Sequence, residues 1–106
     1  MARLIWSPAF VDELEKICDH IGRDSPQYAS ILCQKVFEVV ESLPAHSRMS
    51  TIVAEYQRED IREVYLYRYR IIFRLRSDAI ELVTIIHGSR LLPPTPDALL
   101  GAGGES

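Results

Sequence analysis

The sequence predicts a single α+β domain in which an antiparallel sheet carries a hairpin of two helices on one face. Two segments with helical spacing of apolar residues each begin at a Ser-Pro pair. A later segment alternates apolar and polar residues, and an almost wholly apolar segment follows it. A chain of 106 residues has room for one hydrophobic core. The element order β-α-α-β-β-β(-β) therefore predicts both helices packed against one antiparallel sheet.

The first strand and the first helix are predicted at the start of the chain. Residues 3–6 (Arg-Leu-Ile-Trp) suit a short strand. Ser7 is a favourable N-cap, and Pro8 is tolerated at the first helical position. Gly22 is expected to end the helix in the left-handed conformation. Apolar residues at spacings of three and four predict one buried face, made of Phe10, Leu14, Ile17 and Ile21.

The second helix is predicted from Ser25-Pro26 to Pro44 by the same signals. Residues 22–24 alone separate it from the first helix, so the two helices should form an antiparallel hairpin. Its apolar stripe consists of Ala29, Leu32, Cys33, Val36, Phe37, Val40 and Leu43.

Strands are predicted over residues 50–56, 61–66, 69–76 and 79–87. In the third of these, Tyr69, Ile71, Phe73 and Leu75 share one face, and Arg70, Arg74 and Arg76 share the other. The turn formers Ser77 and Asp78 join the last two strands into a hairpin. Residues 1–90 form the predicted domain. Residues 91–106 hold three prolines and three glycines, which predicts an irregular or disordered tail.

The net charge of −3 argues against a general nucleic-acid binder, but the charge is unevenly distributed. Residues 44–90 carry eight arginines, no lysine and six acidic residues, for a net charge of +2. Because arginine binds carboxylates and phosphates through two parallel hydrogen bonds, this segment could form a binding surface. Solvation of exposed strand faces is the alternative interpretation.

Neither a membrane span nor an export signal is expected. No apolar run approaches the roughly 20 residues that a transmembrane helix needs, and no apolar segment with a small-residue cleavage site opens the sequence. Cys18 and Cys33 are interpreted as small core-lining side chains rather than a disulfide pair, in keeping with a reducing cytoplasm. His20 and His46 lack companions at metal-ligand spacing, and no Gly-rich phosphate loop is present, so neither a metal nor a cofactor is expected.

Several segments, taken in order, resemble the RelE/ParE toxin superfamily, which includes plasmid stabilisation proteins. These are the opening Trp6–Phe10, the helical hairpin ending at Leu43-Pro44, Arg62-Glu63, Tyr69–Phe73, and the closing Ile86–Arg90. The resemblance covers about residues 3–90. It implies the compact β-α-α-β-β-β fold, a neutralising antitoxin as partner, and an essential bacterial target. That target is messenger RNA cut on the ribosome in the RelE branch and DNA gyrase in the ParE branch.

The chemistry of the residues favours the ParE-like branch, which acts by binding. RNA cleavage needs a general base, a cation near the developing charge, and an acid. The chain has only two lysines, both on the predicted helices, and no tyrosine follows Arg90. The closing His87-Gly88-Ser89-Arg90 resembles the His-Gly-x-Arg ending of ParE-like toxins. One departure is the stretch 45–48, which keeps Arg48 but lacks the glycine of the Gly-Arg step that such toxins often carry.

Two alternatives stay open: a ribosome-dependent endoribonuclease, and a degenerate, non-toxic member that only binds its antitoxin. For the nuclease, the candidate catalytic residues are Arg62, Arg70, His87 and Arg90. For binding the target or the antitoxin, the candidates are Arg48, Arg62, Arg70, Arg74 and Arg90.

Each candidate also has a structural interpretation. Arg62 and Arg70 are expected to meet on one sheet face, but they could equally pair with Glu63, Glu81 or Glu55. His87 could be a base or a strand-end histidine bonded to backbone. Tyr65, Tyr67 and Tyr69 could be a base-stacking platform or a covered sheet face. The antitoxin's C-terminal segment is expected in an apolar groove beside the helical hairpin.

Overall fold

A computed structural model describes residues 2–100, which form a five-stranded sheet, two long helices and one short helix. The strands are β1 (Arg3–Trp6), β2 (Thr51–Ile52), β3 (Ile61–Leu66), β4 (Tyr69–Leu75) and β5 (Ala79–His87). The helices are α1 (Pro8–Gly22), α2 (Pro26–His46) and α3 (Asp97–Leu100), with a 3-10 turn at Ser47–Met49. Strand order across the sheet is β1-β5-β4-β3-β2.

Both long helices begin as the sequence predicts. The Ser7 hydroxyl accepts the backbone N–H of Phe10 at 3.1 Å, and the Ser25 hydroxyl accepts that of Tyr28 at 3.1 Å. Each serine thereby satisfies one of the N–H groups that a helix leaves unpaired at its start.

The helix ends differ from the prediction. Gly22 is the last residue of α1, and the chain continues in the right-handed region at Arg23 with φ −61°. No left-handed glycine is therefore needed at this connection. Pro44 does not end α2, which runs on to His46. Proline has no N–H to donate, so this last part of the helix lacks one of its hydrogen bonds.

The predicted α+β class is confirmed, although the sheet is mixed rather than wholly antiparallel. Strands β2 to β5 pair antiparallel in sequence order. Strand β1 runs parallel to β5, with Arg3 opposite Ala79 and Trp6 opposite Leu82. Tight turns oblige neighbouring strands to be antiparallel, but most of the chain separates β1 from β5, and so nothing local sets its direction.

The main core lies between the helical hairpin and one face of the sheet. Phe10, Val36, Val40, Ile71 and Phe73 are completely buried there. Tyr69 and Leu75 pack against the same cluster, which confirms the predicted apolar face of β4. The register between β4 and β5 shifts at Ile72 and Phe73.

The opposite face of the sheet is covered too, and this corrects two predictions. The chain leaves the sheet after Ile52, so the strand predicted over 50–56 is only two residues long. The segment after Arg90 is not wholly irregular, because it includes α3 and returns across the sheet. Residues 101–106 of the predicted tail lie outside the described residues. The second core cluster consists of Val53, Ile61, Ile72 and Val83, with Tyr56, Leu92, Leu99 and Leu100 packed against it.

A disulfide joins Cys18 of α1 to Cys33 of α2. This contradicts the interpretation of the two cysteines as independent core-lining thiols. Periodicity placed each cysteine on its own helix, but only the packing of the two helices brings the sulfur atoms together. None of the helices in residues 2–100 is both long and apolar enough to cross a membrane.

Candidate functional site

Arg62 and Arg70 lie on opposite faces of the sheet, contrary to the expectation that they meet. Arg62 stands opposite Phe73, whose side chain faces the helices. Arg70 stands opposite Tyr65, three residues along β3 from Arg62. Because side chains alternate between faces, an odd separation along a strand puts two residues on opposite sides. The predicted arginine cluster is therefore not formed.

Arg70 is buried in an ion-pair network on the face away from the helices. Its Nη1 and Nη2 donate to the two carboxylate oxygens of Glu55, each at 3.0 Å, and its Nε donates to Glu63 Oε1 at 2.7 Å. The side chains of Arg70 and Glu63 are 5% and 9% exposed, and that of Glu55 is 44% exposed. Hydrogen bonds from Arg70 lower the pKa of Glu55, and the same contacts raise the pKa of Arg70 further above its normal value.

A second network occupies the same face near the other end of β4. Asp60 accepts hydrogen bonds from Arg58 at 3.0 and 2.8 Å and from Arg74 Nε at 3.2 Å. The bonds from Arg58, and then those from Arg74, hold the pKa of the Asp60 carboxyl below its usual value. Arg76 pairs with Glu81 at 3.1 Å. The alternative interpretation, pairing with Glu63 or Glu55, therefore describes Arg70 but not Arg62, which forms no ion pair within residues 2–100.

His87 forms a local cap at the end of β5. Its Nδ1 accepts the backbone N–H of Ser89 at 3.1 Å and lies 2.7 Å from the Ser89 hydroxyl. The ring meets Tyr69 edge-on, with centroids 5.8 Å apart. Because Nδ1 accepts, the ring proton of the neutral form belongs on Nε2. His87 thus bonds to backbone, as the structural interpretation expected, while Arg90 is exposed.

Two cavities of about 530 and 320 Å³ lie beside the helical hairpin, and Tyr69 and His87 line both of them. We call the two cavities together the hairpin groove. The larger cavity is also lined by Ile21, Tyr28, Leu32, Tyr67 and Arg68. The smaller one is lined by Glu13, Lys16, Ile17, His20, Ile85, Ile86 and Arg90.

Both cavities of the hairpin groove have apolar walls; the aromatic residues lie mostly in the larger cavity and most of the basic residues line the smaller one. Glu13 is the one acidic residue lining it, and this carboxylate lies 3.5 Å from Lys16 Nζ. Arg90, Arg68 and His20 add further basic groups. Such a surface suits a partner segment with an apolar side chain next to acidic residues.

The tyrosines do not form the three-residue stacking platform that was one of their two interpretations. Tyr65 lies opposite Arg70 and Tyr69 opposite Leu66, so the two rings are on different faces. Tyr28 of α2, 55% exposed, joins Tyr67 and Tyr69 in the groove instead. Tyr28 was not predicted as a site residue, although an aromatic residue outside the apolar stripe of a helix is a signal for an interaction surface.

Comparisons with known proteins agree with the resemblance seen in the sequence. The family model described as "ParE toxin of type II toxin-antitoxin system, parDE" matches residues 4–92. A solved structure titled "Chromosomal ParDE TA system from P. aeruginosa" superimposes with a TM-score of 0.68 at 21% identity. The match covers 82% of this chain and 96% of that one, and at this identity it shows a shared fold. No curated protein matches the sequence significantly.

Proposed function

Because the chain belongs to the ParE toxin family of type II toxin–antitoxin systems, we propose that it arrests growth by binding DNA gyrase and not by cutting RNA. The observation that carries this proposal is that the guanidinium of Arg70 is buried and already paired with carboxylates. Two carboxylates occupy its guanidinium, and Arg62 faces the other side of the sheet.

A nuclease would need cations free to meet the developing phosphorane charge. Arg70 is buried and already neutralised, and Asp60 is shared by Arg58 and Arg74. His87 has Nδ1 committed to Ser89. Arg62 forms no ion pair within residues 2–100, but it lies on the other face of the sheet from Arg70. The candidate catalytic residues therefore do not converge on one site, and the chain is better suited to act through a binding surface.

The antitoxin partner is proposed to bind in the hairpin groove. An apolar anchor residue would fill the cavity beside Tyr28 and Tyr67, and acidic residues would lie near Arg90 and His20. Neutralisation would follow if the antitoxin covers the surface that the toxin needs for its target. Gyrase acts in the cytoplasm, so we propose that compartment for the toxin as well.

A supercoiling assay with purified gyrase tests the target. The toxin should inhibit supercoiling in proportion to its concentration, and its cognate antitoxin should abolish the inhibition. The same preparation should leave translated messenger RNA uncut on ribosomes. Specific RNA cuts that disappear in Arg90→Ala would refute the gyrase proposal, and a folded toxin that neither inhibits gyrase nor slows growth would be a degenerate member.

A charge reversal tests the groove separately. Arg90→Glu should weaken antitoxin binding by about tenfold or more, since it repels the acidic residues proposed there. Arg23→Glu is the matched control, because Arg23 is also exposed but lies outside the cavities that form the groove. The affinities can be measured by titration calorimetry against the product of the neighbouring antitoxin gene. Equal affinities for the two variants would place the antitoxin elsewhere and leave the gyrase proposal untouched.

A further inference from the structure

Arg62 differs from the other arginines of the central strands in how its guanidinium is held. Its Nε donates to the backbone carbonyl of Glu59 at 2.8 Å, and its Nη1 donates to that of Ser50 at 3.1 Å. Within residues 2–100 it forms no ion pair, whereas Arg70, Arg74 and Arg76 each do. The two carbonyls orient the guanidinium without neutralising its charge. The Nη2 group keeps both of its N–H donors.

Arg62 lines a depression of about 490 Å³ at the end of the sheet near the β4–β5 turn. Arg48 of the 3-10 turn and Arg76 of the β4–β5 turn line the same depression. Arg48 is exposed and has no side-chain hydrogen bond or ion pair within the described part of the chain. Three arginine residues from three different elements therefore line one cavity.

The depression is lined by three arginines and two acidic residues, Glu59 and Asp60. Arg76 is paired with Glu81, and the Asp60 carboxylate is held by Arg58 and Arg74 from outside the lining. Two serines, Ser47 and Ser77, also line the depression. An excess of positive charge and hydrogen-bond donors around a concave site favours an anionic ligand.

We propose that this depression binds a phosphate group, with Arg62 and Arg48 as its principal contacts and Arg76 as a third. A phosphate presents oxygens in several directions and can accept from guanidiniums on three sides of a cavity, whereas a carboxylate presents two oxygens in one plane. Arg62 is preorganised by its two carbonyl contacts, so it loses less conformational freedom on binding than a free arginine would. The phosphate belongs either to a small phosphorylated compound or to a nucleic-acid backbone, two sources of the same chemistry.

The test is a titration of the ¹⁵N-labelled full chain with inorganic phosphate at constant ionic strength. Amide resonances of residues 47–50, 59–62 and 76–78 should shift together and saturate. Arg48→Gln should raise the dissociation constant by about tenfold or more, because it removes a charge-assisted hydrogen bond. Arg23→Gln is the control for loss of one exposed positive charge. Arg62→Gln should raise the dissociation constant as Arg48→Gln does. If loss of the Arg62 contacts unfolds the protein, Arg48→Gln alone still tests the site.

A parallel titration with a short duplex DNA identifies the source. The ligand is backbone phosphate if DNA shifts the same resonances and Arg48→Gln weakens the salt dependence of DNA binding. The slope of the logarithm of the binding constant against the logarithm of salt concentration should then decrease in magnitude by about one. If inorganic phosphate alone produces the shifts, the ligand is a small phosphate compound. Shifts spread over the whole surface, absence of saturation with both probes, or equal affinities for Arg48→Gln and Arg23→Gln would overturn the proposal.

Discussion

Replacing Arg70 with methionine should destabilise the protein severely, because Glu63 would then be a buried carboxylate without a counter-ion. The two side chains are 5% and 9% exposed, so solvent screens them little. Removing one partner of a buried ion pair costs about 3–5 kcal/mol. The contact with Glu55, which is 44% exposed, should add only about 0–1 kcal/mol. This loss is a large part of the roughly 5–15 kcal/mol by which small domains are stable.

Urea unfolding measures this effect, and two further variants make it specific. Arg74→Met is the matched control, since Arg74 lies on the same strand and face but pairs with Asp60 at 23% and 32% exposure. It should cost about 1 kcal/mol or less. Arg70→Met combined with Glu63→Leu should recover most of the loss, because apolar groups can replace a buried ion pair with little net change.

A loss of stability in Arg70→Met no larger than that in Arg74→Met would contradict a special role for the buried pair. A double variant as unstable as Arg70→Met alone would show that the loss does not come from an uncompensated carboxylate. An unchanged denaturant slope across the variants is needed for the midpoints to be compared.

Three further predictions concern other parts of the fold. The pKa of Glu55 is lowered in the folded chain from its usual 4.5. The ionised Glu55 carboxylate therefore contributes fully to the free energy of unfolding above that value, and this contribution is lost as pH falls through the lowered pKa. The urea midpoint should fall over that acidic range, and a flat acid profile would contradict this. In Gly88→Ala the new Cβ would lie 3.2 Å from a backbone carbonyl of the β3–β4 turn, which predicts a loss of about 1 kcal/mol in thermal unfolding. Gly22→Ala meets only an ordinary 3.7 Å contact and should be neutral or stabilising; equal effects at both glycines would count against the steric argument. Reducing the Cys18–Cys33 disulfide opens a crosslink over a sequence separation of 15 and should cost about 3 kcal/mol, whereas an unchanged melting temperature with dithiothreitol would contradict this stabilisation.

The local elements of the fold follow from the sequence because short-range signals specify them. Ser-Pro pairs predicted both helix starts, and the alternation in Tyr69–Leu75 predicted which face of β4 enters the core. The short connection between the helices predicted the hairpin. The ordered set of motifs from Trp6 to Arg90 was also sufficient to identify the toxin family.

The arrangement of the candidate site depended on a register that the sequence analysis had not fixed. The β3–β4 turn has two residues, Tyr67 and Arg68, and so places Arg70 opposite Tyr65. A turn one residue longer would have placed Arg70 opposite Leu66 and on the same face as Arg62. Shifting the register of a strand by one residue moves every side chain to the other face.

By itself, then, the sequence determined the helices, the strands that carry the main core and the family, since these depend on periodicity and on caps within a few residues. The tertiary structure alone decided that β1 runs parallel to β5, that Cys18 meets Cys33, and that residues 91–100 return across the sheet. It also separated Arg62 from Arg70 and brought Arg62 to the same depression as Arg48. Each of these features either joins residues that are distant along the chain or depends on strand register. Local residue spacing specifies neither long-range contacts nor register.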